Sequence, residues 1–298
     1  MNKHTLKDWI LATRPWSFTA SAMPVIVSFV WLIWKGVEVN WLYGIWALIN
    51  IIFVHAAGNV WSDYFDYKHK VDAEDTYAVK ILTSGQFTPK EVMRLSVILQ
   101  IIAIALGLGL VCLTGLPLLW IGICGIALSL LYPPLKYHAL GDLVIILCYA
   151  VLPALGTTYV ASGSIVPQVL WIIIPIGFLT VGILHSNNMR DAGTDNRAGI
   201  KTFAMISGQK ASKIIYQLET ILPYLCYLLI AIFAHNRFAP WWILLTWVSL
   251  PIALKNYKAA KNWGGDPAEI ATLDEQSAQL QMIFSILTII SLVIGIWL

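Results

Sequence analysis

The sequence predicts an all-α polytopic membrane protein with nine transmembrane helices. Three observations lead there. The 298 residues are 58% hydrophobic, with a mean hydropathy of +0.73. Only 12% are charged, roughly half the share usual in a soluble domain. Apolar runs of membrane-crossing length recur along the whole chain.

Taken in order, the spans fall near 17–34, 41–61, 95–113, 116–132, 141–161, 168–187, 216–235, 239–254 and 280–297. The first contains Pro24 and is followed by Lys35, so no small-residue cleavage site marks a signal peptide. The second starts at Trp41 and runs into the polar stretch Asn59–Asp72. The fourth ends in Tyr132-Pro-Pro-Leu-Lys136-Tyr137. The fifth and sixth carry Pro153 and Pro175, and the sixth leads into Asn187–Thr202. The seventh holds Pro223, and the eighth holds Pro251 behind Trp241 and Trp242. Trp9, Trp16, Trp41, Trp241 and Trp242, near span ends, suit interfacial anchoring.

Nine spans sort the basic residues sharply. One side receives Lys3, Lys7, Arg14, Lys68, Lys70, Lys80, Lys90, Arg94, Lys136, Arg190, Arg197, Lys201, Lys210, Lys213, Lys255, Lys258 and Lys261; the other receives Lys35 and Arg237. By the positive-inside rule the amino terminus is cytoplasmic and the carboxyl terminus outside, in a bacterial-type cytoplasmic membrane. Every acidic residue but Glu38 falls on the same cytoplasmic side. The long loops 62–94, 188–215 and 255–279 are there too, so function is expected on that face. The net charge of +3 gives no sign of a nucleic-acid partner. Cys112, Cys124, Cys148 and Cys226 sit in apolar runs without metal-type spacing and read as small hydrophobes.

Two polar segments stand out. The first reads Asn59-Val-Trp-Ser-Asp63-Tyr-Phe-Asp66 and continues to Asp72. The second reads Asn187-Asn188-Met-Arg190-Asp191-Ala-Gly-Thr-Asp195-Asn-Arg197, with Lys201 following. Asn59, Asp63 and Asp66 follow i, i+4, i+7; Asn187, Asp191 and Asp195 follow i, i+4, i+8. On continuous helices each set shares a face. Two such ends on one membrane side would aim several carboxylates into one cavity, where like charges repel unless a cation intervenes. Oxygen ligands without His or Cys favour Mg²⁺, whose open positions suit phosphate oxygens. The other view of each segment is a solvated acidic loop, and two matching segments with Asn and Arg inserted weigh against it. Lys136, in a Tyr132-x3-Lys136 unit, is either a cytoplasmic anchor or a cation for those phosphates. Ser84-Gly85-Gln86 and Ser207-Gly208-Gln209 follow the two segments at similar distances. One membrane domain over 1–298 is expected, with 59–72 and 187–202 as traces of a two-fold internal repeat.

With these pieces together, the chain resembles the UbiA superfamily of intramembrane aromatic prenyltransferases. The resemblance covers most of the chain: Arg14-Pro-Trp-Ser17, Asn59–Asp72, Thr83-Ser84-Gly85, Tyr132–Leu143 and Asn187–Thr202. Within the superfamily it looks most like the 1,4-dihydroxy-2-naphthoate polyprenyltransferases of menaquinone synthesis and their vertebrate relatives. Asp72, Tyr132–Tyr137 and His185-Ser-Asn-Asn-x-Arg-Asp carry that likeness, while Phe203 and the Gly199-Ile-Lys201 spacing depart from the pattern.

The resemblance implies a UbiA-like helical bundle around a central cavity, with Mg²⁺ as cofactor. It implies a polyprenyl diphosphate donor, an aromatic acceptor and a lipid bilayer as partners. Asp63, Asp66, Asp191 and Asp195 would hold the metal, with Asn59 and Asn187 as further ligands or orienting amides. Lys136, Arg190, Arg197 and Lys201, with Asn188, would face the diphosphate. Tyr132 would offer a hydroxyl or ring near the allylic cation, or be core. Asp72 would be an outer ligand or a loop cap, and Arg14 a diphosphate contact or an anchor. His185 is expected to satisfy a buried polar contact. Another acceptor, such as 4-hydroxybenzoate, shares the same donor motifs. A transporter is the alternative from another class, but transport paths place polar groups at mid-membrane, and these spans carry almost none.

Overall fold

The computed structural model describes residues 4–72, Tyr77 and 81–298. Lys3 and Lys80, counted above on the basic side, lie outside them. The described residues are helical, with only isolated bridges at His138–Lys201 and His235–Ala239 in place of strands.

A short amphipathic helix, α1 (Leu6–Ala12), opens the chain. Thr5 and Asp8 close a capping box at its start, satisfying two backbone N–H groups. The long helices follow: α2 (Thr19–Trp34), α3 (Trp41–Lys68), α4 (Pro89–Thr114) and α5 (Leu116–Tyr137). Next, α6 (Gly141–Ile146) passes through a π turn at Leu147–Val151 into α7 (Leu152–Ser162). Then come α8 (Leu170–Arg190), the two-turn α9 (Ala192–Arg197) and α10 (Phe203–Phe233). A 3₁₀ segment, Trp241–Ser249, leads into α11 (Leu250–Asn262), and α12 (Leu273–Trp297) closes the chain.

Eight of these helical stretches are long and apolar enough to cross a membrane, so the expected count of nine is not reached. The exception is the span expected at 239–254. It is a nine-residue 3₁₀ helix joined to α11, where Lys255, Lys258 and Lys261 make the sequence polar. This stretch still runs the length of the bundle. A Cβ on Gly295 would lie 2.7 Å from Pro240 at one end, and Lys213 Nζ donates to the Lys261 carbonyl (3.4 Å) at the other.

The main core joins α2, α7, α8, α10 and α12 around Trp31, Ile172, Ile176, Tyr227 and Phe284. Two of its large buried side chains pair their polar atoms: Trp31 Nε1 donates to Phe238 O (2.7 Å) and Tyr227 OH to Ile172 O (2.8 Å). Buried Ser28, Thr180, Ser285 and Thr288 bond carbonyls four residues back on their own helices, which satisfies hydroxyls where water is absent. Helices α4 and α5 instead expose Ile98, Ile101, Trp120 and Ile123, a surface suited to lipid.

Gly85 and Gly208, the centres of the two Ser-Gly-Gln triplets, share a left-handed φ of +71° and +75°. That conformation strains any residue with a Cβ. At Gly208 it breaks the helical course of α10.

Candidate functional site

Helix α3 continues unbroken past Trp61 to Lys68, so the first motif is helical as expected. Its residues diverge nonetheless. Asp66 faces a cavity of about 810 Å³, whereas Asp63 does not line it. Asp63, 2% exposed, turns to the other flank of the helix and pairs with the Arg14 guanidinium. Arg14 reaches it because the backbone bends there, with φ +57°. Arg14 also lines the cavity, so it is no mere membrane anchor. Asn59 lines the cavity too, and its Nδ2 donates to Thr13 O (2.9 Å) and Ser17 Oγ (3.0 Å). That amide therefore ties the amino-terminal segment to α3.

Asp66 is the centre of the mouth. Lys136 Nζ donates to its Oδ2 at 3.2 Å and Tyr137 OH to its Oδ1 at 2.7 Å. Ser62, one turn earlier and also on the cavity wall, donates to Oδ2 at 3.3 Å. Tyr132 and Lys136 both line the cavity from α5.

The second motif does not form one continuous helix. Asp191 leaves helical geometry (φ −89°, ψ 4°), and Asp195 sits in α9. Backbone bonds still link Asp191 N to Asn187 O (2.8 Å) and Asp195 N to Asp191 O (2.9 Å), so the kinked segment keeps both carboxylates at the mouth. Asn187, Asn188, Arg190, Asp191 and Asp195 all line the cavity.

Arg190 is fully engaged by protein groups. Its Nε and Nη2 contact Asp191 (2.8 and 2.9 Å), Nη2 also donates to Asn187 Oδ1 (2.8 Å), and Nη1 meets Asp274 (2.9 Å). It orients the motif rather than offering an open fork. Arg197 and Lys201 do not line the cavity. The Lys201 backbone N–H donates to Tyr137 O (3.0 Å), which locks the end of the second motif against α5 while its side chain is exposed.

The mouth thus gathers Asp66, Asp72, Asp191 and Asp195 from two distant segments. Burial pushes the Asp195 carboxyl up to about 7; Lys136 opposes this, and Asp191, Asp66 and Asp72 reinforce it. Burial likewise raises Asp72 to about 6, helped by Asp66. Carboxylates buried and gathered in this way, once deprotonated, are a ready oxygen cage for a hard divalent cation. Below the mouth the wall is largely apolar, including Val25, Ile51, Leu118, Ile126 and Leu152, with the rings of His55 and Tyr149 4.4 Å apart and tilted by 30°.

His185 lies outside the cavity and meets buried polar partners, as expected: Asp142 Oδ2 at 3.0 Å and Ser212 Oγ at 2.9 Å. Sequence reasoning missed Ser62, Tyr137 and Asp274. Ser62 was discoverable, since it stands four residues before Asp66 on the same helix.

A family model described as the UbiA prenyltransferase family matches residues 21–274. Similar proteins include UbiA prenyltransferase domain-containing protein 1 of Homo sapiens, 33% identical over 245 residues (75% of this chain, 68% of the relative). The Drosophila melanogaster homolog of that protein is 30% identical over 296 residues, 96% of this chain and 79% of the relative. Among solved structures, a UbiA homolog from Archaeoglobus fulgidus bound to GPP and Mg²⁺ aligns with TM-score 0.64 at 15% identity, covering 94% of this chain and 99% of that one. The apo UbiA homolog of Aeropyrum pernix K1 aligns with TM-score 0.68 at 14% identity, over 92% and 97%.

Proposed function

Because the chain belongs to the UbiA prenyltransferase family, we propose that it transfers a polyprenyl group from polyprenyl diphosphate to 1,4-dihydroxy-2-naphthoate in menaquinone synthesis. One observation carries the reading: carboxylates from both motifs meet at the mouth of a deep apolar cavity. A polar mouth suits a diphosphate and an apolar depth suits an isoprenoid tail. The match to a homolog bound to GPP and Mg²⁺ supports the same pairing.

Asp66, Asp72, Asp191 and Asp195 would hold Mg²⁺, with Asn187 as a further oxygen donor. The ion would supply positive charge to the diphosphate as it leaves. Lys136 swings from Asp66 to the phosphate oxygens and stabilises the charge that grows there. The allylic C–O bond breaks and its electron pair departs with the diphosphate. The apolar wall keeps water from the allylic cation, and Tyr132 presents its ring to it. The ring carbon of the acceptor then bonds to the prenyl carbon. Its carboxylate leaves as CO₂, and that electron pair restores the aromatic ring.

We place the mouth on the cytoplasmic side, following the 17-to-2 division of basic residues. Residues 241–262 then make an additional crossing and the carboxyl terminus lies outside. The two motifs make one domain with a two-fold repeat, which the matched Gly85 and Gly208 turns support.

Membranes carrying the protein, Mg²⁺ and geranylgeranyl diphosphate, offered the naphthoate or 4-hydroxybenzoate, test the reading by product mass. A prenylated, decarboxylated naphthoquinol is expected. Prenylation of benzoate alone would overturn the acceptor, and no prenylated product would overturn the reaction.

A further inference from the structure

We propose that Asp142, His185 and Glu219 form a second cation site, for a divalent transition ion such as Zn²⁺. None of the three lines the central cavity. They come from α6, α8 and α10, and one ligand atom from each lies within 4.8 Å of the others.

The spacing fits a small ion. His185 Nδ1 stands 3.0 Å from Asp142 Oδ2 and 3.8 Å from Glu219 Oε1. A tetrahedral ion with ligands at about 2.0–2.2 Å sets neighbouring ligand atoms roughly 3.3–3.6 Å apart. The two separations bracket that range, so small side-chain movements would supply three ligands and leave the fourth position to water.

The partners of the imidazole fit as well. Nε2 lies 3.2 Å from the Ser212 carbonyl oxygen, an acceptor for the N–H of the Nε2-protonated ring. In the tautomer that donates there, Nδ1 offers its lone pair beside the two carboxylates, where a bound ion would take it. A carbonyl on the far ring nitrogen is the usual orienting partner of a metal-bound His.

Charge and hydrogen bonding point to an occupant. His185 is 0% exposed and Glu219 8%. Asp142 Oδ1 and Glu219 Oε2 are buried with no hydrogen-bond partner. Ionising both carboxylates in this interior without a counter-charge is costly. A divalent cation cancels both charges. Mg²⁺ prefers an all-oxygen shell, whereas an imidazole in the donor set favours a transition ion. Such an ion would pin α8 to α6 and α10 just before Asn187 and Asn188. It is therefore a structural ion, separate from the chemistry at the mouth.

The test uses the full chain in detergent, with Asp66→Asn and Asp195→Asn together removing two of the four competing carboxylates at the mouth. After chelation and reloading with Zn²⁺ alone, one equivalent of zinc per chain is expected, with a raised melting temperature. Adding Glu219→Gln is expected to weaken zinc binding by more than about tenfold. Less than a tenth of an equivalent in the double variant, or binding unchanged by Glu219→Gln, overturns the site. If Glu219→Gln does not fold, Asp142→Asn is read the same way. Zinc-edge absorption adds a check on the unmutated protein: one imidazole in the shell supports the site, and an all-oxygen shell overturns it. Prenyl transfer with Mg²⁺ is measured separately, so failure of the zinc site and failure of the proposed reaction are distinct results.

Discussion

Lys136 Nζ stands 3.2 Å from Asp66 Oδ2, so a cation from α5 meets a carboxylate from α3 across the mouth of the cavity. In the proposed reaction a metal would take the carboxylate and a phosphate the ammonium. Lys136→Met is expected to lower kcat by about 10²–10³-fold, the usual effect of losing one group that stabilises developing charge. Steady-state rates with saturating donor check this. A loss confined to KM would mean that Lys136 only binds the ground state.

Asp63 is predicted to matter for stability through Arg14. Removing one member of a buried ion pair leaves the other charge without compensation. Arg14 keeps part of its side chain exposed, so the expected cost of Asp63→Ala is at most about 2–3 kcal/mol. Thermal unfolding in detergent should show a lower melting temperature for the single variant. Joint replacement of Arg14 and Asp63 should recover part of the loss. A double variant as unstable as the sum of both singles would show no coupling.

The mouth carboxylates predict an unusual pH dependence for the metal-free protein. Asp195 titrates at about 7 and Asp72 at about 6 in the folded chain, both raised first by burial. Unfolded, each returns to about 4. The folded state therefore binds more protons between those values, and stability falls as pH rises through about 4 to 7. Melting temperature without metal should be lower at pH 8 than at pH 5.5. Mg²⁺ needs the deprotonated oxygens, so it should raise the melting temperature more at pH 8. Equal stabilisation at both pH values would separate these carboxylates from the metal.

Gly125 offers a handle on donor length. It lines the cavity, and an added Cβ would meet only Leu152 Cδ1, at 4.0 Å. Gly125→Leu therefore fits its helix while projecting into the space proposed for the isoprenoid tail. Turnover of geranylgeranyl diphosphate should fall at least tenfold relative to dimethylallyl diphosphate. An unchanged ratio of kcat/KM would place the tail elsewhere.

Much of this was legible in the sequence because hydrocarbon leaves few options. Apolar runs had to become helices, and eight of the nine expected crossings correspond to the eight long stretches, with shifted ends. Residues 239–254 were read as an ordinary span, since composition does not report 3₁₀ winding. Periodicity placed Asp63 and Asp66 on one face but could not divide it. The division came from Arg14, which lies 49 residues away in sequence. The basic residues after Asp195 illustrate the same gap. Arg197 and Lys201 looked like diphosphate ligands by proximity in sequence, yet the break at Asp191 turned that stretch beside the mouth. Asp274 carried no local signal at all, because its partner Arg190 belongs to a helix far upstream.

The 3₁₀ winding of Trp241–Ser249 also sets how much length a short stretch of chain covers. Nine residues at about 2.0 Å each advance about 18 Å, against about 13.5 Å in α form. The stretch is therefore about 4.5 Å longer than its residue count would give as an α-helix. About twelve residues would be needed to cover the same distance as an α-helix, so this side of the bundle is bridged with about three fewer.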